Sequence, residues 1–305
     1  MINNLIQSKN NIDAIIFGIY LPNSSKLYVI KYYLDIFVSH FSDCDIYIGI
    51  NPSDAQNQLM ELIDNYKNNL SINYQLVEKR CVVNSDVSTI QKGLELLYNS
   101  GNQYRLLWFG HSKTVSREKM DLDWTKIYCK RFWIRRDIIT ERLIASNKGS
   151  YGLDMTIATC GNERYQSLKY RSEPDYISKY FDFKYNSLPF FYVYTFFIIK
   201  GHIVENFLNQ CNPKFFSENI CSFTGSSRYF MESEFIKIVW MSGFEPMYEN
   251  CINHPVWNKV TDKKIKFIIQ QWKQGLSWQE ILDQYEYKIE SRLLFKTYSY
   301  IKNLL

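Results

Sequence analysis

The stretch DAIIFGIYLPNSSKLYVIKYYLDIFVSHFSDCDIYIGI, residues 13–50, decides the fold. Residues 13–20 form an apolar run of strand length without polar alternation, the pattern of a strand buried on both faces. Leu27, Ile30, Leu34, Phe37 and Phe41 then recur three and four apart, which makes one face of a helix. Residues 44–50, CDIYIGI, return to a buried strand that Asn51-Pro52-Ser53 ends. Two apolar strands joined by an amphipathic helix imply parallel pairing, because a parallel neighbour needs a crossover of this length.

The same rhythm continues outward. Ala55, Leu59, Leu62 and Tyr66 mark a second helix, and INYQLVEK, residues 72–79, a third strand. Val87, Ile90, Leu94 and Leu97 stripe a third helix, with Asn84, Ser85 and Asp86 as candidate N-caps. A fourth strand covers 104–109. The order βαβαβαβ predicts an α/β domain: a mostly parallel sheet flanked by helices, with right-handed crossovers. Such sheets bind ligands beyond the carboxyl ends of their strands. Here that mouth takes in Tyr20, Asn51 and residues 110–113.

Downstream, residues 123–146 predict one long basic helix with Asp123 at its N-cap, and residues 151–161 a strand. LPFFYVYTFFIIKG, residues 188–201, reaches about a dozen apolar residues before Lys200, short of the roughly 18 that span a bilayer, and predicts a buried segment. Residues 227–243 complete the core, and 259–305 predict two helices broken at Gly275-Leu276-Ser277. The expected organisation is a nucleotide-binding catalytic domain over 1–250 and a helical extension over 251–305.

Composition narrows the class. With 46% hydrophobic and 17% aromatic residues among 305, and only 12 glycines and 7 prolines, the chain is neither disordered nor of low complexity. The net charge of +5 comes from scattered Lys and Arg, which suits anionic small molecules or a membrane surface better than nucleic acid. None of the seven cysteines forms a C-x-x-C pair, so they read as reduced, buried thiols of a cytoplasmic protein. The amino-terminal residues lack a secretion-signal pattern.

The chemistry gathers after the fourth strand. His111 and Lys113 lie two apart, so in extended chain they share a side, and both donate to phosphate oxygens. Asp121-Leu122-Asp123 has a form that holds Mn²⁺ or Mg²⁺ against a diphosphate, or alternatively places acidic groups at a helix start. Glu232 and Glu234, set among aromatics in SRYFMESEF (227–235), are candidate general bases, with Glu232 favoured; the alternative is a solvent-facing carboxylate or one paired with Arg228. Asp86 reads as a cap or as a contact to a nucleotide ribose. His40, His202 and His254 show no metal spacing. The chain has no G-x-G-x-x-G, P-loop or G-x-S-x-G motif.

The run NSDVSTIQKGLELLYNSGNQYRLLWFGHSKTVSRE, residues 84–118, resembles a group of glycosyltransferase-like bacterial proteins of capsule and cell-surface polysaccharide loci. In that group a Gln-containing helix, here with Gln91, leads into a Tyr-rich strand ending in His-Thr-Lys-Gly or similar, here His111-Ser112-Lys113-Thr114. An aromatic segment with an Arg-x-x-x-Glu-like ending follows, loosely matched by Arg228 to Glu232. Thr114 replaces the usual Gly, and residues 190–207 match the acceptor region only loosely. The resemblance implies a GT-A-like glycosyltransferase with a nucleotide-diphospho-sugar donor and a glycan or lipid-linked acceptor, working in the cytoplasm or at the inner membrane face. In that implied site Glu232, His111 and Lys113 are catalytic, and Tyr20, Asn51, Asp86 and Arg228 hold the donor. The strand-end His-x-Lys stands where metal-using relatives carry Asp-x-Asp, so no metal is required; the alternative is Mn²⁺ or Mg²⁺ on Asp121 and Asp123.

Two other classes compete. One is a non-catalytic partner- or nucleic-acid-binding protein using the basic carboxyl-terminal helices, although Glu280, Asp283 and Glu286 on the second helix oppose phosphate binding. The other is an α/β enzyme that binds phosphorylated metabolites at the same strand ends.

Overall fold

The computed structural model describes residues 12–78, 86–112, 122–153, 155–157, 190–192, 195–210, 216, 235–249, 270–271, 274–276 and 280. In chain order the strands are β1 (Ala14–Tyr20), β2 (Asp45–Asn51), β3 (Ser71–Leu76), β4 (Leu106–His111), β5 (Ser150–Leu153), β6 (Met155–Ile157), β7 (Phe190–Tyr192), β8 (Phe197–Lys200) and β9 (Pro246–Glu249). The helices are α1 (Leu27–His40), α2 (Gln56–Asp64), α3 (Asp86–Ser100), α4 (Leu122–Arg131), α5 (Arg136–Ile144), α6 (Gly201–Gln210) and α7 (Lys237–Met241).

Seven strands form one sheet in the order β3-β2-β1-β4-β8-β5-β9. β3, β2, β1 and β4 are mutually parallel, β8 runs antiparallel to both β4 and β5, and β9 is parallel to β5. This is the expected Rossmann-type, mostly parallel sheet flanked by helices. β6 and β7 form a separate antiparallel pair.

Alternation along β1 divides the core. Ile15, Phe17 and Ile19 face α1, α2, α4 and α5, whereas Ala14 and Ile16 face α3, α6 and α7. The α1 stripe docks as spaced, with Ile30, Leu34 and Phe37 buried and Phe41 buried just past the helix end. In α2 the core residues are Leu59 and Ile63, with Leu62 only partly buried. Val87, Ile90, Leu94 and Leu97 of α3 are all buried.

Glycine sets how closely α3 lies on the sheet. A Cβ on Gly49 would stand 1.9 Å from the Thr89 carbonyl oxygen, and one on Gly18 2.3 Å from Thr89 Oγ1. On the helix side, a Cβ on Gly93 would reach Ile16 Cγ2 at 2.9 Å. Helix and sheet therefore touch backbone to backbone, and that contact fixes where α3 begins.

Four expectations are corrected. The basic stretch 123–146 is two helices, α4 and α5. Between them Phe132 and Trp133 turn inward, and Trp133 makes ring contacts with Phe37, Phe41 and Trp108. Burial of that aromatic surface outweighs continuation of the helix. Asp123 lies inside the first turn of α4, because the helix begins at Leu122. β4 runs on to His111, so the histidine is the last residue of the strand; its position opposite Gly18 of β1 extends the ladder. The segment 188–201 is not one element: its described residues include β7, β8 and the start of α6. The proposed extension over 251–305 falls almost wholly outside the described residues.

Candidate functional site

The amino and carboxyl ends of the sheet differ in character. At the amino end, Asp13 is fully buried just before β1. Arg105 Nε donates to its Oδ1 at 2.9 Å, and Arg136 Nη2 reaches its Oδ2 at 3.5 Å. Arg136 also donates to the His40 carbonyl at 2.6 Å and to Asp43 Oδ2 at 2.9 Å. Its hydrogen bond holds the Asp43 carboxyl below the usual range. Nearby, Tyr104 donates to Asp45 Oδ2 at 2.5 Å and shares a 2.6 Å hydrogen bond with Tyr47; burial and these partners push its hydroxyl pKa well up. Lys200, opposite Leu106 at the start of β4, has its ammonium pKa lowered by burial, as has His202 beside it. These groups are paired or desolvated where chain crossovers need fixing, and they serve the fold.

The carboxyl end carries neutral polar groups around a half-buried histidine. Tyr20 of β1 lies opposite Asn51 of β2, and Gly18 opposite His111 of β4. Three expected site residues, Tyr20, Asn51 and His111, thus end three adjacent parallel strands. Asn51 is fully buried, while Tyr20 and His111 are half-buried at the rim. Ser112 ties two of these ends together. Its backbone N–H donates to the Gly18 carbonyl at 2.8 Å. Its hydroxyl accepts from the Tyr20 N–H at 2.9 Å and donates to the Tyr20 carbonyl at 3.2 Å. Ser53, two residues past Asn51, is also buried, and its Oγ finds no hydrogen-bond partner among the described residues.

An aromatic wall backs the histidine. The His111 ring stacks on Phe196 at 5.9 Å and 29°, and Phe196 stacks on Tyr128 of α4 at 5.4 Å and 9°. Gly110 lets β4 lie against this wall, since a Cβ there would stand 2.5 Å from Trp133 Cζ2 and 3.3 Å from Phe196 Cε1. α3 begins at Asp86, one turn before the Thr89 that meets Gly18 and Gly49. The amino-terminal turn of α3, with its positive dipole end, therefore lies at the same edge of the sheet.

These groups have definite chemical capacities. An imidazole donates to a phosphate oxygen, an amide reads a ring edge with both donor and acceptor, and a tyrosine ring at a rim offers a stacking face. Asp86 is the first residue of α3, inside the helix and not before it, while Lys113, Asp121, Arg228 and Glu232 lie outside the described residues. Asp123 is 74% exposed and pairs with Lys126 at 3.3 Å. Among the described residues no group of three or more His, Cys, Asp or Glu side chains is placed to hold a metal ion. Cys44 and Cys129 are free and buried, and burial raises both thiols above the reactive range. No described helix is long and apolar enough to cross a membrane.

Sequence reading missed the Ser112 clamp and the Phe196 wall. The only signal was the aromatic density of 190–197, which is equally the signal of a core.

No protein-family model matches this chain, and no curated protein matches it. Among solved structures it is similar to residues 1–349 of TarS from S. aureus, with 9% sequence identity and a TM-score of 0.36. That overlap covers 75% of this chain and 56% of the TarS chain, so it spans little more than half of the neighbour. A TM-score of 0.36 is too low to carry an argument about activity.

Proposed function

We propose that the protein is a glycosyltransferase that moves a sugar from a nucleotide-diphospho-sugar to a glycan or lipid-linked acceptor of surface polysaccharide. The observation that carries this reading is the convergence of Tyr20, Asn51 and His111 on three neighbouring strand ends, with Ser112 locking β4 to β1 beneath them. Tyr20 at the rim holds the nucleoside, with the buried Asn51 supporting the strand end behind it, and Asp86 holds its ribose. His111 donates to a diphosphate oxygen, and Lys113, two residues on, adds a full positive charge as the bond to the sugar breaks. Arg228 adds to donor binding, and Glu232 takes the proton of the acceptor hydroxyl. In this scheme the Lys113 ammonium and the His111 imidazole at the end of β4 do the work of a divalent ion, and Asp121 and Asp123 stand outside the chemistry.

The test is the thermal shift of purified protein with UDP, GDP, CMP and dTDP, each with and without Mn²⁺, beside Lys113→Ala. Stabilisation by one nucleotide without metal, lost in the variant, is the expected result. Stabilisation only with Mn²⁺ moves the site to Asp121 and Asp123. No shift with any nucleotide refutes the proposal.

A further inference from the structure

Among the described residues Thr195 alone, apart from glycines, has a positive φ, at 57°. A β-branched side chain in the left-handed region clashes with its own backbone. Such strain persists only where the surrounding structure over-determines it. Thr195 is fully buried, so solvent exposure does not relieve it.

The location gives the strain a purpose. β8 enters the sheet at Phe197, antiparallel to β4 and opposite Phe109. The turn at Thr195 delivers Phe196, whose ring underlies the imidazole at 5.9 Å. Phe196 cannot drift: it stacks on Tyr128, meets Phe132 edge-on at 5.7 Å and Trp133 at 6.2 Å, and its carbonyl accepts from Leu153 N–H at 3.4 Å. Three helix-side rings and a neighbouring strand therefore fix the platform on which His111 rests.

We infer that Thr195 and Phe196 are positioning residues for His111: the strained turn locks the Phe196 ring beneath the imidazole, so the imidazole meets a diphosphate already oriented. The inference rests on the reading that His111 binds the donor diphosphate. Thr195 touches no ligand and acts through Phe196. Pre-orientation of this kind removes a rotamer search from binding.

The test compares Thr195→Gly with Thr195→Ala, because both lose the side chain and only glycine relieves the backbone. Three readouts are taken: melting temperature, the ring-current shift of the His111 ring protons by NMR in the unliganded protein, and affinity for UDP and for pyrophosphate. Thr195→Gly should melt higher than Thr195→Ala, yet show the smaller ring-current shift and the weaker affinity by severalfold. A purely structural role would order all three readouts alike, and that result overturns the inference. Phe196→Leu keeps apolar bulk and should abolish the ring-current shift and weaken both ligands severalfold; unchanged affinity overturns the inference too. Should the wild type bind neither UDP nor pyrophosphate, the donor reading fails by itself. The His111 shift in Thr195→Gly then decides the positioning: a reduced shift supports it and an unchanged one overturns it.

Discussion

Ser112 closes β4 onto β1 through the backbone of Tyr20, accepting from its N–H at 2.9 Å and donating to its carbonyl at 3.2 Å. One hydroxyl, 92 residues away in the chain, thereby completes a ladder that parallel pairing leaves open at its end. Ser112→Ala leaves the Tyr20 N–H without that partner, a loss of about 0.5–1.5 kcal/mol for a part-buried hydrogen bond. Urea denaturation should show a destabilisation of that size. Nucleotide affinity should fall with it, since the rim residues Tyr20 and His111 lose their common anchor.

Gly49→Ala is expected to be among the most damaging single substitutions in the described residues. The new methyl would stand 1.9 Å from the Thr89 carbonyl, a backbone atom that cannot swing aside. α3 must lift off the sheet, at a cost of roughly 3 kcal/mol or more. Gly93→Ala, whose nearest neighbour is a side-chain methyl at 2.9 Å, should cost less, and a pair of chemical denaturation curves orders the two.

The Asp13–Arg136–Asp43 cluster predicts behaviour in acid. Asp43 has a folded pKa below its unfolded value, chiefly through the Arg136 hydrogen bond. A depressed carboxyl contributes stability that is present above the unfolded pKa and is lost as pH falls through the folded one. Stability should therefore decline below about pH 4, and Asp43→Asn should flatten that decline. The Asp43 side chain is 62% exposed, so solvent screening keeps its share small. Arg136→Met is the harsher change, because it strips a partner from the fully buried Asp13 and should cost about 3–5 kcal/mol at neutral pH.

The parallel half of the sheet was legible because apolar runs and helical stripes alternate there without interruption. The reversal at β8 was not, since residues 188–201 form one apolar run and hydropathy carries no strand direction. Nor was the break between α4 and α5, which involves neither glycine nor proline: Phe132 and Trp133 leave the helix for the aromatic core. At the site, Tyr20, Asn51 and His111 could be found because strand ends are where ligands bind. Ser112 as a clamp and Phe196 as a platform depend on pairings across the chain that no local pattern announces.

The claim that His111 and Lys113 at the end of β4 replace a divalent ion has a direct measurement. Affinity for a nucleoside diphosphate and for the matching monophosphate is compared in the presence of a chelator, for wild type, Lys113→Ala and Asp121→Asn. The account predicts a metal-free preference for the diphosphate that Lys113→Ala weakens by roughly tenfold to a hundredfold, the scale of one charged hydrogen bond, and that Asp121→Asn leaves intact. Diphosphate binding that requires added Mn²⁺, vanishes in Asp121→Asn and survives Lys113→Ala would contradict it.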